Sequence, residues 1–198
     1  MLVVLSSPSG GGKTVIAKSL LKKRPEIGRS ISFTTREKRK GEKEGVDYYF
    51  VSPKDFQKKI KERQFAEWAL VFGNYYGTPN KNIQKAEGKI KVLLLVLDVQ
   101  GGLAVKRKYP DSVLIFILPP SLAELEKRLS RRGTDKPEVI KKRLKTALKE
   151  ITFCKRYDYI VVNRKLKDTV KLLEEIITTE KHRANRTVQE VCSGERSK

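Results

Sequence analysis

The sequence predicts an α/β fold, a parallel sheet flanked by helices, and three observations lead there. The chain opens on the apolar run Leu2-Val3-Val4-Leu5, crosses Ser6-Ser7-Pro8-Ser9-Gly10-Gly11-Gly12-Lys13-Thr14, and enters a helical pattern from Val15 to Leu21. The stretches Val92 to Leu97 and Val113 to Leu118 are apolar without alternation, as strands covered on both faces are. Outside residues 32–79, strand and helix patterns alternate, the order that builds a parallel sheet.

The glycine loop is the first element with chemistry in it. Its consecutive glycines let the backbone turn N–H groups inward around an anion, and a helix starting at Lys13 adds the positive end of its dipole. It matches GxxxxGK[ST], with Ser7 in place of the first glycine. A polyphosphate fits: Ser9, Gly10, Gly11 and Gly12 line it, Lys13 reaches the β and γ phosphates, and the Thr14 hydroxyl is placed to ligate magnesium. The plainer reading is a glycine-rich turn that only joins strand to helix.

Arg24-Pro25-Glu26 breaks the first helix, and Ile31 to Thr34 reads as a short strand. Thr35 to Val46 is a charged loop, Asp47 to Val51 an aromatic strand, and Ser52-Pro53 opens a helix to about residue 63, with Ser52 at its N-cap. Phe65 to Phe72 reads as a strand turning at Gly73-Asn74 into Tyr75 to Thr78. These short strands need no parallel partner, so residues 32–79 form a small antiparallel insertion with one helix. Asn80 to Glu87 is a helix ending at Gly88, and the strand Val92 to Leu97 ends in Asp98, at the edge where open α/β sheets bind ligands. Pro119-Pro120 stops the next strand, Ser121 caps a helix to about Leu129, and Glu138 to about Arg156 is a longer basic helix. Tyr159 to Val162 is the last strand and Leu166 to about Thr179 the last helix. The expected organisation is one unit over residues 1–179, with core segments 1–31, 80–119 and 157–179, the insertion at 32–79 and a helical lid at about 120–156. Residues 180–198 form a polar tail, expected to be poorly ordered.

The chain is 198 residues long, enough for one sizeable core, and 44 Lys and Arg against 23 Asp and Glu give a net charge of +21. That balance implies an anionic partner: nucleotide, nucleic acid or membrane surface. Many of the lysines stand in helical stretches such as Lys54 to Arg63, where a solvated face accounts for them. Cys154 and Cys192 lie far apart without metal-ligand spacing, so both are expected as reduced thiols, Cys154 in the core. His182 is the only histidine and stands in a polar segment, which argues against a histidine triad or metal site. No apolar run approaches the roughly 18 residues of a membrane span. With no signal peptide before the first strand, a cytoplasmic location without a membrane partner is expected.

Three further clusters can do chemistry. Arg36 and Arg39 with Tyr48 and Tyr76 supply guanidinium forks and phenolic hydroxyls that clamp one phosphate group, or else form a solvated basic loop beside half-buried tyrosines. Glu67 stands in an apolar strand; its oxygens match the N1–H and N2 amine donors of guanine, which adenine lacks, with Ser32 and Thr78 serving the remaining polar atoms. The alternative puts Glu67 on the wet face of that strand. Arg128, Arg131, Arg132 and Arg143 form a lid that stabilises a transferring phosphoryl group and excludes water, or a helix pair with basic outer faces. Asp98 orients magnesium or touches the acceptor, unless it is only a helix N-cap.

With these residues in place, the chain resembles the guanylate kinase family from about Leu2 to Ile177. The fragments that carry the resemblance are SPSGGGKT, SFTTREKRKGE with GVDYYF, FAEWA, GNYYGT, LDVQG, RLSRRGTD with KRL, and YDYIVVN, in this order. The resemblance implies phosphoryl transfer from MgATP to GMP, on a phosphate-loop core with a GMP-binding subdomain and a mobile lid. It implies that Ser32, Arg36, Arg39, Glu42, Tyr48, Glu67, Tyr76, Thr78 and Asp98 contact GMP, that Lys13, Arg36, Arg128, Arg132 and Arg143 serve catalysis, and that Asn163 lies near adenine. It also implies Thr14 and Asp98 at magnesium. The chain departs from the family pattern at Ser7, at Val96, where an acidic residue is usual, at Arg164-Lys165, and at Thr78, which keeps the hydroxyl of a usual serine. Two rival readings remain: a catalytically inactive module of this family that binds phosphorylated proteins, disfavoured by the intact Gly12-Lys13-Thr14, and a nucleic-acid binder, which no aromatic-basic or zinc motif supports.

Overall fold

The computed structural model describes residues 1–89, 92–130 and 137–188. Strands β1 (Leu2–Ser6), β2 (Ile27–Arg29), β7 (Val92–Val96), β8 (Val113–Leu118) and β9 (Tyr159–Val162) form a parallel sheet in the order β2-β7-β1-β8-β9. Strand β2 was not expected: at three residues with a central glycine it carries too little pattern to be read locally, and its pairing with β7 defines it.

Alternate residues of β1 point to opposite faces, and both faces are buried, which is why the run shows no alternation. Val3 and Leu5 pack with Ile16 and Leu20 of α1 (Lys13–Lys23) and with Leu173 and Ile177 of α7 (Leu166–Lys181). Val4 faces the other way, with Leu95, Leu114 and Phe116, against Val99 and Val105 of α4 (Val99–Lys108) and Ile83 of α3 (Asn80–Lys89). Each such side chain contributes about 1.5–3 kcal/mol on burial, so the sheet is a rigid base with its carboxyl edge, where β1 and β7 end, left to hold the site. Cys154 is half-buried against the second cluster, and Cys192 lies outside the described residues.

The second sheet comprises β3 (Phe33–Thr34), β4 (Tyr49–Phe50), β5 (Phe65–Val71) and β6 (Asn74–Pro79), in the order β4-β3-β6-β5. It is antiparallel except at β4, which runs parallel to β3, so the insertion is mixed rather than purely antiparallel. Helix α2 (Pro53–Lys61) begins at Ser52, whose hydroxyl accepts from the Asp55 N–H at 3.1 Å, and it seats the fully buried Phe56 on Phe65 with ring centres 4.6 Å apart. The β5–β6 turn falls on Phe72 and Gly73, one residue earlier than the sequence suggests.

Helices α5 (Leu122–Ser130) and α6 (Pro137–Thr152) share a small cluster of Leu125, Leu129 and Ala147, and a 3-10 turn at Phe153–Arg156 follows α6. The chain beyond residue 180 is not loose where it is described. Glu180 is buried, accepts from Tyr159 Oη at 2.6 Å and from Arg186, and Arg186 Nη2 donates to the Asp111 carbonyl at 2.6 Å. A buried carboxylate needs such partners, and they tie residues 180–186 to the sheet.

Candidate active site

The phosphate loop leaves β1 and turns through Gly10 and Gly12, whose φ angles of 85° and 91° are left-handed and unstrained for glycine. The Gly11 N–H closes the turn on the Pro8 carbonyl at 2.9 Å. Helix α1 starts at Lys13 with no side-chain cap and no acidic residue in its first turn, so its leading N–H groups face the cleft as an anion site. A Cβ on Gly10 would stand 2.9 Å from Leu129 Cδ2, so α5 packs directly on the loop. On Gly12 it would meet Asn163 Nδ2 at 3.4 Å and Arg128 Nη1 at 3.9 Å. Thr169 Oγ1 donates to Asn163 Oδ1 at 3.0 Å, which turns the Asn163 amide nitrogen toward the loop, and Arg128 Nε donates to Glu124 Oε1 at 2.9 Å.

Across the cleft, Arg36 Nη2 donates to both Glu42 oxygens at 2.8 and 3.0 Å, and Glu42 Oε2 also accepts from the Arg39 N–H at 2.9 Å. Glu42 thus shapes the loop that carries both arginines. The Arg36 guanidinium lies 5.7 Å from the centre of the Tyr48 ring, and Tyr48 and Tyr76 pack edge to face at 6.0 Å. Burial pushes the Tyr48 phenol up, so it stays a protonated donor at neutral pH.

Strand alternation decides Glu67. Phe65, Glu67 and Ala69 point inward and are buried, while Trp68 points out and is 47% exposed, so the wet-face reading of Glu67 does not hold. Thr78 Oγ1 donates to Glu67 Oε1 at 2.5 Å. A Cβ on Gly101 would lie 2.8 Å from Glu67 Oε2 and 3.1 Å from Asp98 Oδ1, so both carboxylates lean on the first turn of α4. Asp98 is the N-cap of that helix, accepting from the Gly101 N–H at 2.9 Å, and the cap lies at the cleft wall. Burial pushes Glu67 up to about 7, against the Thr78 hydrogen bond that holds it down, and the Asp98 charge adds to the rise.

One cleft of about 240 Å³ gathers Ser9, Gly10, Gly11, Gly12, Lys13, Thr14, Ser32, Arg36, Arg39, Glu42, Tyr48, Glu67, Tyr76, Asp98 and Arg143. Thr78 reaches it through Glu67, while Arg128 and Asn163 meet the loop from the side of α5 and β9. Arg131 and Arg132 lie outside the described residues.

Two charged cleft residues escaped the sequence reading. Asp47 is buried, takes Lys18 Nζ at 2.6 Å and accepts from the Lys43 N–H at 2.9 Å, bridging α1 to the insertion. Glu150 of α6 accepts from the Ser9 N–H at 2.9 Å, so a carboxylate rests on the anion loop itself. Burial pushes Glu150 up, opposed by the Ser9 hydrogen bond and the Lys13 charge. A signal for it existed: Arg143 and Glu150 are seven residues apart, on one face of a helix.

Among the described residues no group of three or more His, Cys, Asp or Glu could hold a metal alone. The Thr14 hydroxyl and the Asp98 carboxylate, both on the cleft wall, are hard oxygen donors. So sparse a set fits magnesium, which keeps several waters and takes other ligands from phosphates.

The family model described as guanylate kinase matches residues 1–180. The chain belongs to the guanylate kinase family. It is 48% identical to a guanylate kinase of Carboxydothermus hydrogenoformans, over 94% of this chain and 91% of that protein. It is 46% identical to a guanylate kinase of Myxococcus xanthus, over 94% and 90%. The crystal structure of guanylate kinase from Anaplasma phagocytophilum superposes with a TM-score of 0.79 at 38% identity, covering 94% of this chain and 88% of that one. In this chain a phosphate loop and a small second sheet share one cleft. Among the described residues no helix is long and apolar enough to cross a membrane.

Proposed function

We propose that this protein is an ATP:GMP phosphotransferase that moves the γ-phosphoryl group of ATP to GMP, giving ADP and GDP. The observation that carries this reading is the buried Glu67–Thr78 pair set in the same cleft as an intact Gly12-Lys13-Thr14 loop. The loop N–H groups and Lys13 hold the donor's phosphates, with Asn163 toward adenine. Arg36, Arg39, Tyr48 and Tyr76 clamp the acceptor's phosphate, and Glu42 keeps the two arginines in place. Ionised Glu67 accepts from guanine N1–H and the N2 amine, while Ser32 and Asp98 serve the acceptor's other polar atoms. Adenine offers no such donor pair, so the site leaves Glu67 unpaired against AMP.

An oxygen of the GMP phosphate attacks the γ phosphorus, the new P–O bond forms, and the bond to the ADP oxygen breaks. The nucleophile is already an anion, so no base is needed, and catalysis is positioning plus charge neutralisation by Lys13, Arg36, Arg128, Arg132 and Arg143. Thr14 and Asp98 would hold magnesium, which would supply further charge neutralisation for the transferring group. The intact loop and an Arg143 that lines the cleft support this reading over an inactive phosphoprotein-binding module. A cytoplasmic setting suits it, and the charge of +21 adds weak, salt-sensitive adsorption to polyanions.

A coupled assay for ADP tests the proposal. GMP is expected to exceed AMP, CMP and UMP by about 100-fold or more in kcat/KM. Equal rates with AMP would remove the base assignment, and tight GMP binding without ADP release would favour the binding module.

A further inference from the structure

Phe72 occupies the first central position of the β5–β6 turn with φ of 48°, and Gly73 follows at 79°. Such turns favour Asn-Gly or Asp-Gly, because only short polar residues and glycine enter the left-handed region cheaply. A bulky aromatic there is an outlier, held against its own backbone preference. Burial does not account for it, since Phe72 is 43% exposed. Its ring instead faces α6, with the Arg143 guanidinium 5.8 Å from the ring centre. Both residues line the nucleotide cleft and also a second cavity of about 830 Å³ between the hairpin tip and α6. Asn74 Nδ2 donates to the Phe72 carbonyl at 3.3 Å and steadies the turn.

We propose that Phe72 is a positioning residue for Arg143: its ring holds the guanidinium at the mouth between the acceptor clamp and the phosphate loop, ready for the transferring phosphoryl group. This rests on the role given to Arg143 above. The ring attracts the cation through its quadrupole and confines a long, flexible side chain. The same contact links the second sheet to α6, so the arginine is poised by the unit that holds the acceptor.

Phe72→Asn fits the left-handed turn, so Tm is expected to hold or rise while kcat falls about 5-fold, the loss matched to an exposed cation–π contact. KM for ATP and for GMP is expected to stay within about twofold, and Phe72→Tyr, which keeps the ring, to recover kcat. Arg143→Ala alone is expected to lower kcat about 100-fold, and Phe72→Asn added to it to cost nothing more. Wild-type kcat in Phe72→Asn, a lowered Tm accompanying its loss, or the same 5-fold loss in the Arg143→Ala background would each overturn the positioning role. Wild-type kcat in Arg143→Ala would instead overturn the role of Arg143 itself, a failure visible without touching Phe72.

Discussion

The loop at residues 7–14 and the clamp around Arg36, Tyr48, Glu67 and Tyr76 face each other across one cleft, yet one is made of main chain and the other of side chains. The loop offers N–H groups aimed by two left-handed glycines and a helix start. Such main-chain groups suit phosphate as such and have no means of telling bases apart. The clamp groups are already paired among themselves, Arg36 with Glu42 and Glu67 with Thr78, so their geometry is set before any ligand arrives. The difference teaches where affinity and selectivity reside: main-chain dipoles provide a general anion seat, and a buried carboxylate with a fixed partner provides discrimination.

The largest expected effect falls on the loop. Lys13→Ala should lower kcat by about 1,000-fold or more with GMP binding intact, read by steady-state kinetics beside GMP titration calorimetry. If GMP binding fell equally, the loop and the clamp would not act as separable halves.

The clamp comes next. Glu67→Gln turns one acceptor into a donor facing the base's own donors, and KM for GMP should rise about 100-fold with KM for ATP little changed. The pH dependence has a definite sign. Burial pushes Glu67 up to about 7, and in the proposed function it is the ionised carboxylate that accepts from guanine. GMP affinity is therefore full above that pH and falls as pH drops through it, while Glu67→Gln should show no such step. A flat wild-type profile between pH 5.5 and 8.5, measured by GMP titration, would contradict the assignment.

The smallest effect sharpens the picture of the loop. Glu150 rests on the Ser9 N–H, where it would repel the phosphates that the loop is proposed to hold. Glu150→Gln keeps the shape and removes the charge, so KM for ATP should fall by about 3- to 10-fold at effective interior dielectrics. An increase would mean that the carboxylate braces the loop for ATP instead.

The contrast between main chain and side chain also explains what could be read in advance. Strand β1, the loop and α1 are contiguous, and their signals are local: an apolar run, glycines, a Lys-Thr pair. The buried strands β7 and β8 announce themselves because both faces are covered. Strand β2 could not, since three residues acquire their meaning only from pairing with β7. Within the clamp, the residue types at 36, 39, 48, 67 and 76 suggested phosphate and guanine, but the face of β5 on which Glu67 lies depends on how that strand registers against β6.

The sequence by itself determined the α/β class, the phosphate loop and the residue types of the clamp, because periodicity, glycine placement and turn chemistry act between neighbours along the chain. Tertiary structure alone decided that Glu67 points inward, that Phe72 meets Arg143, and that Glu150 settles on Ser9 from 141 residues away. Contacts of that separation follow from how packed layers bring distant segments together, and no local pattern encodes which donor a buried carboxylate will find.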